Sequence, residues 1–246
     1  MYKTPQSQFQ ADFAAVRAAL REAKEHGEKQ LSEPDAKSLL KLVGIACPRG
    51  GVATIASEAA ALCAHLAAPF AFKIASPDLL HKSAIGGVEL NVAAGQQSGA
   101  YERLLERVRA AGASIRVQGV LIEEMQAGGV EMVTAVTRHA HLGWIVMLGY
   151  GGIWVEALRD VTFRLLPVDR EDVLDMLGEL KGTKLLAGVR GRPALDRDSL
   201  IDTVLRLGEL ALACDEDLLE IELNPLMVLP QGVSAADAVM RLRQND

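Results

Sequence analysis

Phe70-Ala71-Phe72-Lys73-Ile74-Ala75-Ser76-Pro77, followed by His81-Lys82-Ser83-Ala84-Ile85-Gly86-Gly87-Val88-Glu89-Leu90-Asn91-Val92, is the stretch from which the fold is read. Two strand-like runs flank a loop that carries a histidine, a lysine, a serine and paired glycines. Pro69 and Pro77 bracket the first run, whose alternation places Phe70, Phe72 and Ile74 on one face. Lys73 falls on the other face with only Ala71 and Ala75 beside it. A lone lysine among small side chains suits a charge that reaches an anion in a cleft. Gly86-Gly87, lacking Cβ atoms, lets the backbone approach that anion closely. An ordinary hairpin with a solvated lysine accounts for the same residues without a ligand, so the rest of the chain has to decide.

The chain has 246 residues, enough for one large domain or two small ones. Half of them are hydrophobic and 24% are charged, the balance of a well-cored globular protein. A net charge of −6, with no basic run longer than two residues, argues against a nucleic-acid surface. Anion binding must then come from individually placed lysines and backbone donors. The Ala-rich stretch from Ala56 to Phe72 is broken by Glu58, His65 and Pro69, so no membrane span is expected. Met1-Tyr2-Lys3-Thr4-Pro5 lacks the apolar core of a signal peptide. Cys47, Cys63 and Cys214 are far apart and in no metal-like spacing, which fits buried thiols in a reduced, cytoplasmic setting.

Periodicity predicts a helix over 9–30 and a second from Ser32 to about Val43, started by Glu33-Pro34-Asp35. A short strand at Ile45–Pro48 and a helix over 57–66 precede the hairpin, and a helix over 98–111 follows it. Val117–Met125 reads as a strand, Gly128-Gly129 as a turn and Glu131–Arg138 as the returning strand. Further strands are expected at Trp144–Leu148, Leu218–Leu223 and Val233–Ala238, with helices at Asp169–Leu180 and Asp198–Cys214. Hairpins and helices interleave, so the fold class is α+β rather than a regular βαβ winding.

Two acidic runs are candidates for chemistry. In Leu219-Glu220-Ile221-Glu222-Leu223-Asn224-Pro225, the apolar residues point inward and Glu220, Glu222 and Asn224 share the opposite face. A two-residue turn at Pro230-Gln231 would set Asn224 opposite Asp237, about 5 Å away. A carboxylate and an amide oxygen at that spacing suit magnesium held together with phosphates. An exposed acidic edge strand is the plainer alternative. The other run, Ile122-Glu123-Glu124-Met125, ends a strand in carboxylates that could offer backbone groups to a purine edge and an acid to a ribose. His81 beside a glycine-rich loop is placed for proton or phosphoryl exchange. Arg164, between apolar residues, has a phosphate or Asp160 as its expected partner.

Taken together, these features resemble the ATP-grasp subunit of NDP-forming acyl-CoA synthetases. The resemblance runs through Phe72-Lys73-Ile74-Ala75-Ser76-Pro77-Asp78-Leu79-Leu80-His81-Lys82-Ser83, Gly86-Gly87-Val88 and Gly128-Gly129-Val130-Glu131. It continues through Val136-Thr137-Arg138, Gly151-Gly152-Ile153 with Val155-Glu156, Asp160-Val161-Thr162-Phe163-Arg164, Lys181-Gly182, Gly188-Val189-Arg190-Gly191 and Asn224-Pro225-Leu226. It covers about residues 32–243 and leaves out only the first helix.

The resemblance implies an ATP-grasp fold in which two α+β subdomains enclose a nucleotide, ATP or ADP, with Mg2+. It implies conversion of acid, CoA and ATP to acyl-CoA, ADP and phosphate through a phosphohistidine. The partner implied is a CoA-binding subunit with its own phosphohistidine, in a hetero-oligomer, since no Gly-x-Gly-x-x-Gly fingerprint appears here. By the same analogy His81 accepts the phosphoryl group and Glu222 orients it. Lys73, Lys82, Gly86 and Gly87 hold phosphates, Glu123, Glu124 and Met125 border adenine, Glu131 meets the ribose, and Asn224 and Asp237 bind the metal. Glu222 is a departure, because such relatives often carry aspartate there while succinyl-CoA synthetases carry glutamate. A nucleotide-sensing regulatory subunit and a ligase that makes an acyl-phosphate directly are the competing readings; neither needs a histidine in this loop. The expected division is an N-terminal helical extension over 1–31, a first ATP-grasp portion over 32–140 and a second over 141–246.

Overall fold

The computed structural model describes residues 11–79, 82–111, 115–152, 160–188, 191 and 193–244. They form two compact units, one of residues 30–36 and 48–127, the other of residues 1–29, 37–47 and 128–246.

The unit of residues 48–127 is built on the quoted stretch. Strands β1 (Gly50–Ala53), β2 (Phe70–Ala75), β3 (Val88–Val92) and β4 (Gly119–Glu124) form an antiparallel sheet in the order β1-β4-β2-β3. Phe70, Phe72 and Ile74 enter the core with Val120 and Ile122, as the alternation predicts. That face is covered by two helices of the same unit, Ala56–Cys63 and Gln97–Ala111, through Ala59, Cys63, Ala100, Tyr101, Leu104 and Val108. Each fully buried Phe or Leu of this kind contributes about 1.5–3 kcal/mol. The opposite face of β2 carries Ala71, Lys73 and Ala75, all buried as well.

In the other unit, strands β5 (Val130–His139), β6 (Gly143–Tyr150), β7 (Val161–Leu165), β8 (Leu218–Val228), β9 (Val233–Ala235) and β10 (Ala238–Leu242) make an antiparallel sheet. Its order is β10-β8-β5-β6-β7, with β9 also on β8. Numbering the helices in chain order, α1 is Phe13–Glu25, α2 Glu33–Leu42, α3 Ala56–Cys63, α4 Gln97–Ala111, α5 Arg170–Glu179 and α6 Arg197–Ala213. Helix α6 buries Leu200, Ile201, Val204, Leu207 and Leu210 on this sheet. Its N-cap Asp196 accepts from the Ser199 N–H at 3.0 Å and from the Gly232 N–H at 2.8 Å, which ties the β8–β9 turn to the helix. Helix α1 buries Val16 and Leu20, and Lys24 meets the buried Asp217 at 3.1 Å.

Two expectations are corrected. The strand expected at Ile45–Pro48 does not form; only Ala46 O takes a sheet-like bond, from Ala235 N, and the strand begins at Gly50. β4 and β5 are not a hairpin: β4 is paired on both sides by β1 and β2, while β5 lies between β6 and β8. The Gly128-Gly129 segment therefore leads from one sheet to the other. The chain passes from one compact unit to the other at Ala127/Gly128, and Ala140 lies in the tight connection between β5 and β6.

Candidate functional site

In the unit of residues 48–127, antiparallel pairing sets Ala71 opposite Glu123, so Lys73, two residues along, is the diagonal neighbour of that carboxylate. Lys73 Nζ donates to Glu123 Oε2 at 3.0 Å and to Glu33 Oε1 at 2.7 Å. Lys82 Nζ donates to the other oxygen of the same carboxylate, Glu33 Oε2. The four residues are 6%, 7%, 4% and 3% exposed for Lys73, Lys82, Glu33 and Glu123, so this is a buried and charge-balanced cluster. The lone lysine expected from the sequence is corrected: two carboxylates neutralise it, as burial of a charge demands.

Gly87 N donates to Lys82 O at 2.8 Å and Gly86 N to Ser83 O at 3.1 Å, so both amides bond within the loop. A Cβ on Gly87 would lie 2.9 Å from Lys82 O and 3.0 Å from Ile74 Cγ2. Glycine is required there because the loop packs directly on β2.

Glu124 accepts from Arg49 Nη1 at 3.1 Å and from the Ala67 N–H at 2.9 Å. The N–H groups of Glu124 and Met125 go to Arg49 O and Pro69 O, and Met125 Sδ accepts from the Asn91 N–H at 3.0 Å. The end of β4 is thus held by three neighbouring segments.

In the other unit the register is the one the turn predicts. Ala238 faces Leu223, Ala235 faces Leu226, and Leu229 N donates to Gly232 O at 3.0 Å around Pro230-Gln231. Asn224 N donates to Asp237 O at 3.3 Å, which sets the two side by side. Pro225 has no N–H, but its carbonyl accepts from Ala236 N at 3.0 Å and Asp237 N at 3.4 Å. Asn224 Nδ2 donates to Glu222 Oε1 at 3.0 Å, directing the amide oxygen away from that carboxylate. Lys37, buried on α2, donates to Ala236 O at 2.7 Å. Among the described residues no group of three or more His, Cys, Asp or Glu is arranged to hold a metal alone. The hard oxygens of Asn224 and Asp237 fit a magnesium ion that takes its remaining ligands from phosphate and water.

Glu131 is exposed at the start of β5; its carbonyl accepts from Gly151 N at 2.7 Å, and a Cβ on Gly152 would meet its Oε2 at 2.7 Å. Nearby, Asp160 accepts from the N–H groups of Lys181 and Gly182, both at 3.0 Å, and Tyr150 Oη donates to Gly182 O at 2.6 Å. Burial, then the charge of Asp160, pushes the Tyr150 phenol up to about 12. Arg164 pairs with Glu179, at 3.3 Å from Nη1 to Oε2, rather than with Asp160, whose oxygens face the 181–182 backbone.

His81 lies outside the described residues, as do Ile153, Val155-Glu156 and Val189-Arg190. Sequence reasoning missed Glu33 and Lys37. An acid in a helix's first turn is so ordinary that Glu33 reads as a helix-start residue.

The profile of the family described as "ATP-grasp domain" matches residues 22–242. The chain is 36% identical over 230 residues to acetate–CoA ligase [ADP-forming] I subunit beta of Pyrococcus furiosus, covering 93% of this chain and 98% of that one. It is 35% identical over 204 residues to acetate–CoA ligase [ADP-forming] I of Archaeoglobus fulgidus, covering 83% of this chain but 30% of that longer protein. Among solved structures it resembles the dinucleotide-forming acetyl-coenzyme A synthetase 1 of Ca. Korarchaeum cryptofilum in complex with coenzyme A, Ca-AMPCP and HgCl+. The TM-score is 0.87 at 34% identity, over 93% of this chain and 100% of that chain. Another structure of that protein holds coenzyme A and Mg-AMPPCP, with its phosphohistidine segment pointing towards the nucleotide-binding site (TM-score 0.78, 33% identity, 92% and 99% covered).

Proposed function

The chain belongs to the ATP-grasp family, and from that premise we propose that it is the nucleotide-binding subunit of an ADP-forming acyl-CoA synthetase. The reaction is acid + CoA + ATP to acyl-CoA + ADP + phosphate. The observation that carries this reading is the near end-to-end correspondence with a separate beta subunit, 93% of one chain against 98% of the other. The Archaeoglobus relative, of which this chain matches 30%, supports a partner that supplies the remainder of such a protein; in this reading that partner carries the CoA-binding part and a phosphohistidine of its own.

Within this reading Lys73 and Lys82 receive the nucleotide phosphates, and Glu123, Glu124 and Met125 border the base. Glu131 meets the ribose. Asn224 and Asp237 would hold Mg2+, which when bound offsets phosphate charge. Glu222 orients Asn224 through the 3.0 Å bond and supplies the carboxylate for the phosphohistidine step. His81 takes the phosphoryl group: its imidazole nitrogen forms an N–P bond to the γ-phosphorus of ATP as the bond to the β-phosphate oxygen of departing ADP breaks, and that N–P bond breaks in turn when the group passes to the partner's histidine, so one transfer becomes two.

The test is phosphorylation of the chain with labelled ATP and Mg2+, mapped by mass spectrometry under alkaline conditions that preserve phosphohistidine. Label on His81, absent in His81→Ala while ADP affinity is kept, is the expected result. Acyl-CoA synthesis by His81→Ala with its partner would overturn the carrier role and leave a direct ligase.

A further inference from the structure

One carboxylate, Glu33, spans both buried lysines of the phosphate site, through Oε1 to Lys73 at 2.7 Å and through Oε2 to Lys82. A carboxylate bridging two ammoniums presents the same chemistry as two oxygens of a phosphate group. Glu33 and Glu123 both pair with these lysines, so a nucleotide arriving with its phosphates meets carboxylates already seated on them.

We propose that Glu33 is a resident stand-in for phosphate. It keeps Lys73 and Lys82 together when no nucleotide is bound, and it competes with the nucleotide phosphates for them. Glu33 is thus a positioning residue whose charge limits ADP affinity and so eases ADP release. The proposal rests on the reading that Lys73 and Lys82 are phosphate ligands.

The lysines of this cluster reach Glu33 from 40 and 49 residues away, so the bridge is a product of the fold and not of a local pairing. Glu123 remains on Lys73 when Glu33 is neutralised, and the carboxylate that competes for both lysines is gone.

The experiment is calorimetric titration of the full chain with MgADP, alongside melting with and without MgADP. Glu33→Gln keeps the shape and removes the charge. It should lower the melting temperature without nucleotide, bind MgADP about tenfold more tightly, equivalent to about 1.4 kcal/mol, and gain more in melting temperature from MgADP than the wild type does. A purely structural glutamate would lower the melting temperature and weaken or leave unchanged the affinity, and either result overturns the proposal. If Glu33→Gln does not fold, Glu33→Asp replaces it; its carboxylate is one methylene too short to bridge both lysines. Tighter MgADP binding by Glu33→Asp supports the stand-in role, and equal or weaker binding overturns it. Lys82→Met separates the two levels. Unchanged MgADP affinity in that variant removes the phosphate-site reading itself, whereas weakened affinity beside an unimproved Glu33→Gln removes only the role of Glu33.

Discussion

Asn224 Nδ2 donates to Glu222 Oε1 at 3.0 Å, and the same residue's N–H reaches Asp237 O at 3.3 Å. The first contact fixes which end of the amide faces Glu222. The second sets the Asn224 backbone beside that of Asp237, so an amide oxygen is carried by β8 and a carboxylate by the bend between β9 and β10 next to it.

Asp237→Ala is therefore expected to weaken magnesium-dependent ADP binding by at least ~2 kcal/mol, the scale of a charge-assisted contact. Calorimetry in Mg2+ and again in a chelator separates metal from nucleotide terms. An unchanged magnesium-dependent component would show that Asp237 binds no cation.

Lys73→Met should cost about 3–5 kcal/mol in urea unfolding without nucleotide, because it leaves Glu123 and Glu33 buried with a partner removed. The variant should also show a smaller ADP-induced rise in melting temperature. An ADP shift equal to the wild type's would place Lys73 outside the nucleotide site.

The contrast between these two sites shows what a sequence makes legible. The β8–β9 register follows from alternation plus a Pro-Gln turn, all within about twenty residues, so Asn224 and Asp237 come together as expected. The alternation of Phe70, Phe72 and Ile74 is equally local and equally well read. The counter-charges of Lys73 lie 40 and 50 residues away, where no periodicity speaks to them. Gly128-Gly129 misleads for a related reason. A glycine pair between two strand-like runs is the same local signal whether the chain returns in one sheet or passes to another, and only the partners of β4 and β5 decide.

Asp196 caps α6 and also holds the Gly232 N–H, and bonds from the Ser199 N–H, then Gly232, lower its pKa below the usual aspartate value. A carboxylate with a depressed folded-state pKa stabilises fully above its unfolded value, near ~3.9, and loses that contribution as pH falls through the folded value. Asp196→Ala should cost about 0.5–2 kcal/mol at neutral pH, as other cap losses do. The gap between variant and wild type, followed by urea unfolding, should narrow as the pH falls below ~4. A gap independent of acid would show that the carboxylate's charge does not serve the cap.

Tyr150 provides the corresponding alkaline test. Its hydroxyl donates to Gly182 O at 2.6 Å, and the same glycine's N–H goes to Asp160 at 3.0 Å, so the 181–182 turn is held from both sides. A Cβ on Gly182 would lie 2.5 Å from Tyr150 Cε2, and Gly182→Ala should therefore cost about 1–3 kcal/mol by overpacking. Burial and then Asp160 raise the Tyr150 pKa to about 12. The neutral phenol is the form the fold favours, so its contribution is complete below the unfolded value, near ~10, and is lost as pH rises through the folded value. Tyr150→Phe removes the hydrogen bond, at about 1 kcal/mol near neutrality. The variant should also lose less stability than the wild type between the unfolded value and about 12. Urea midpoints measured across that interval check both statements. Parallel alkaline losses in the two proteins would mean that Tyr150 titrates no differently in the folded and unfolded chains.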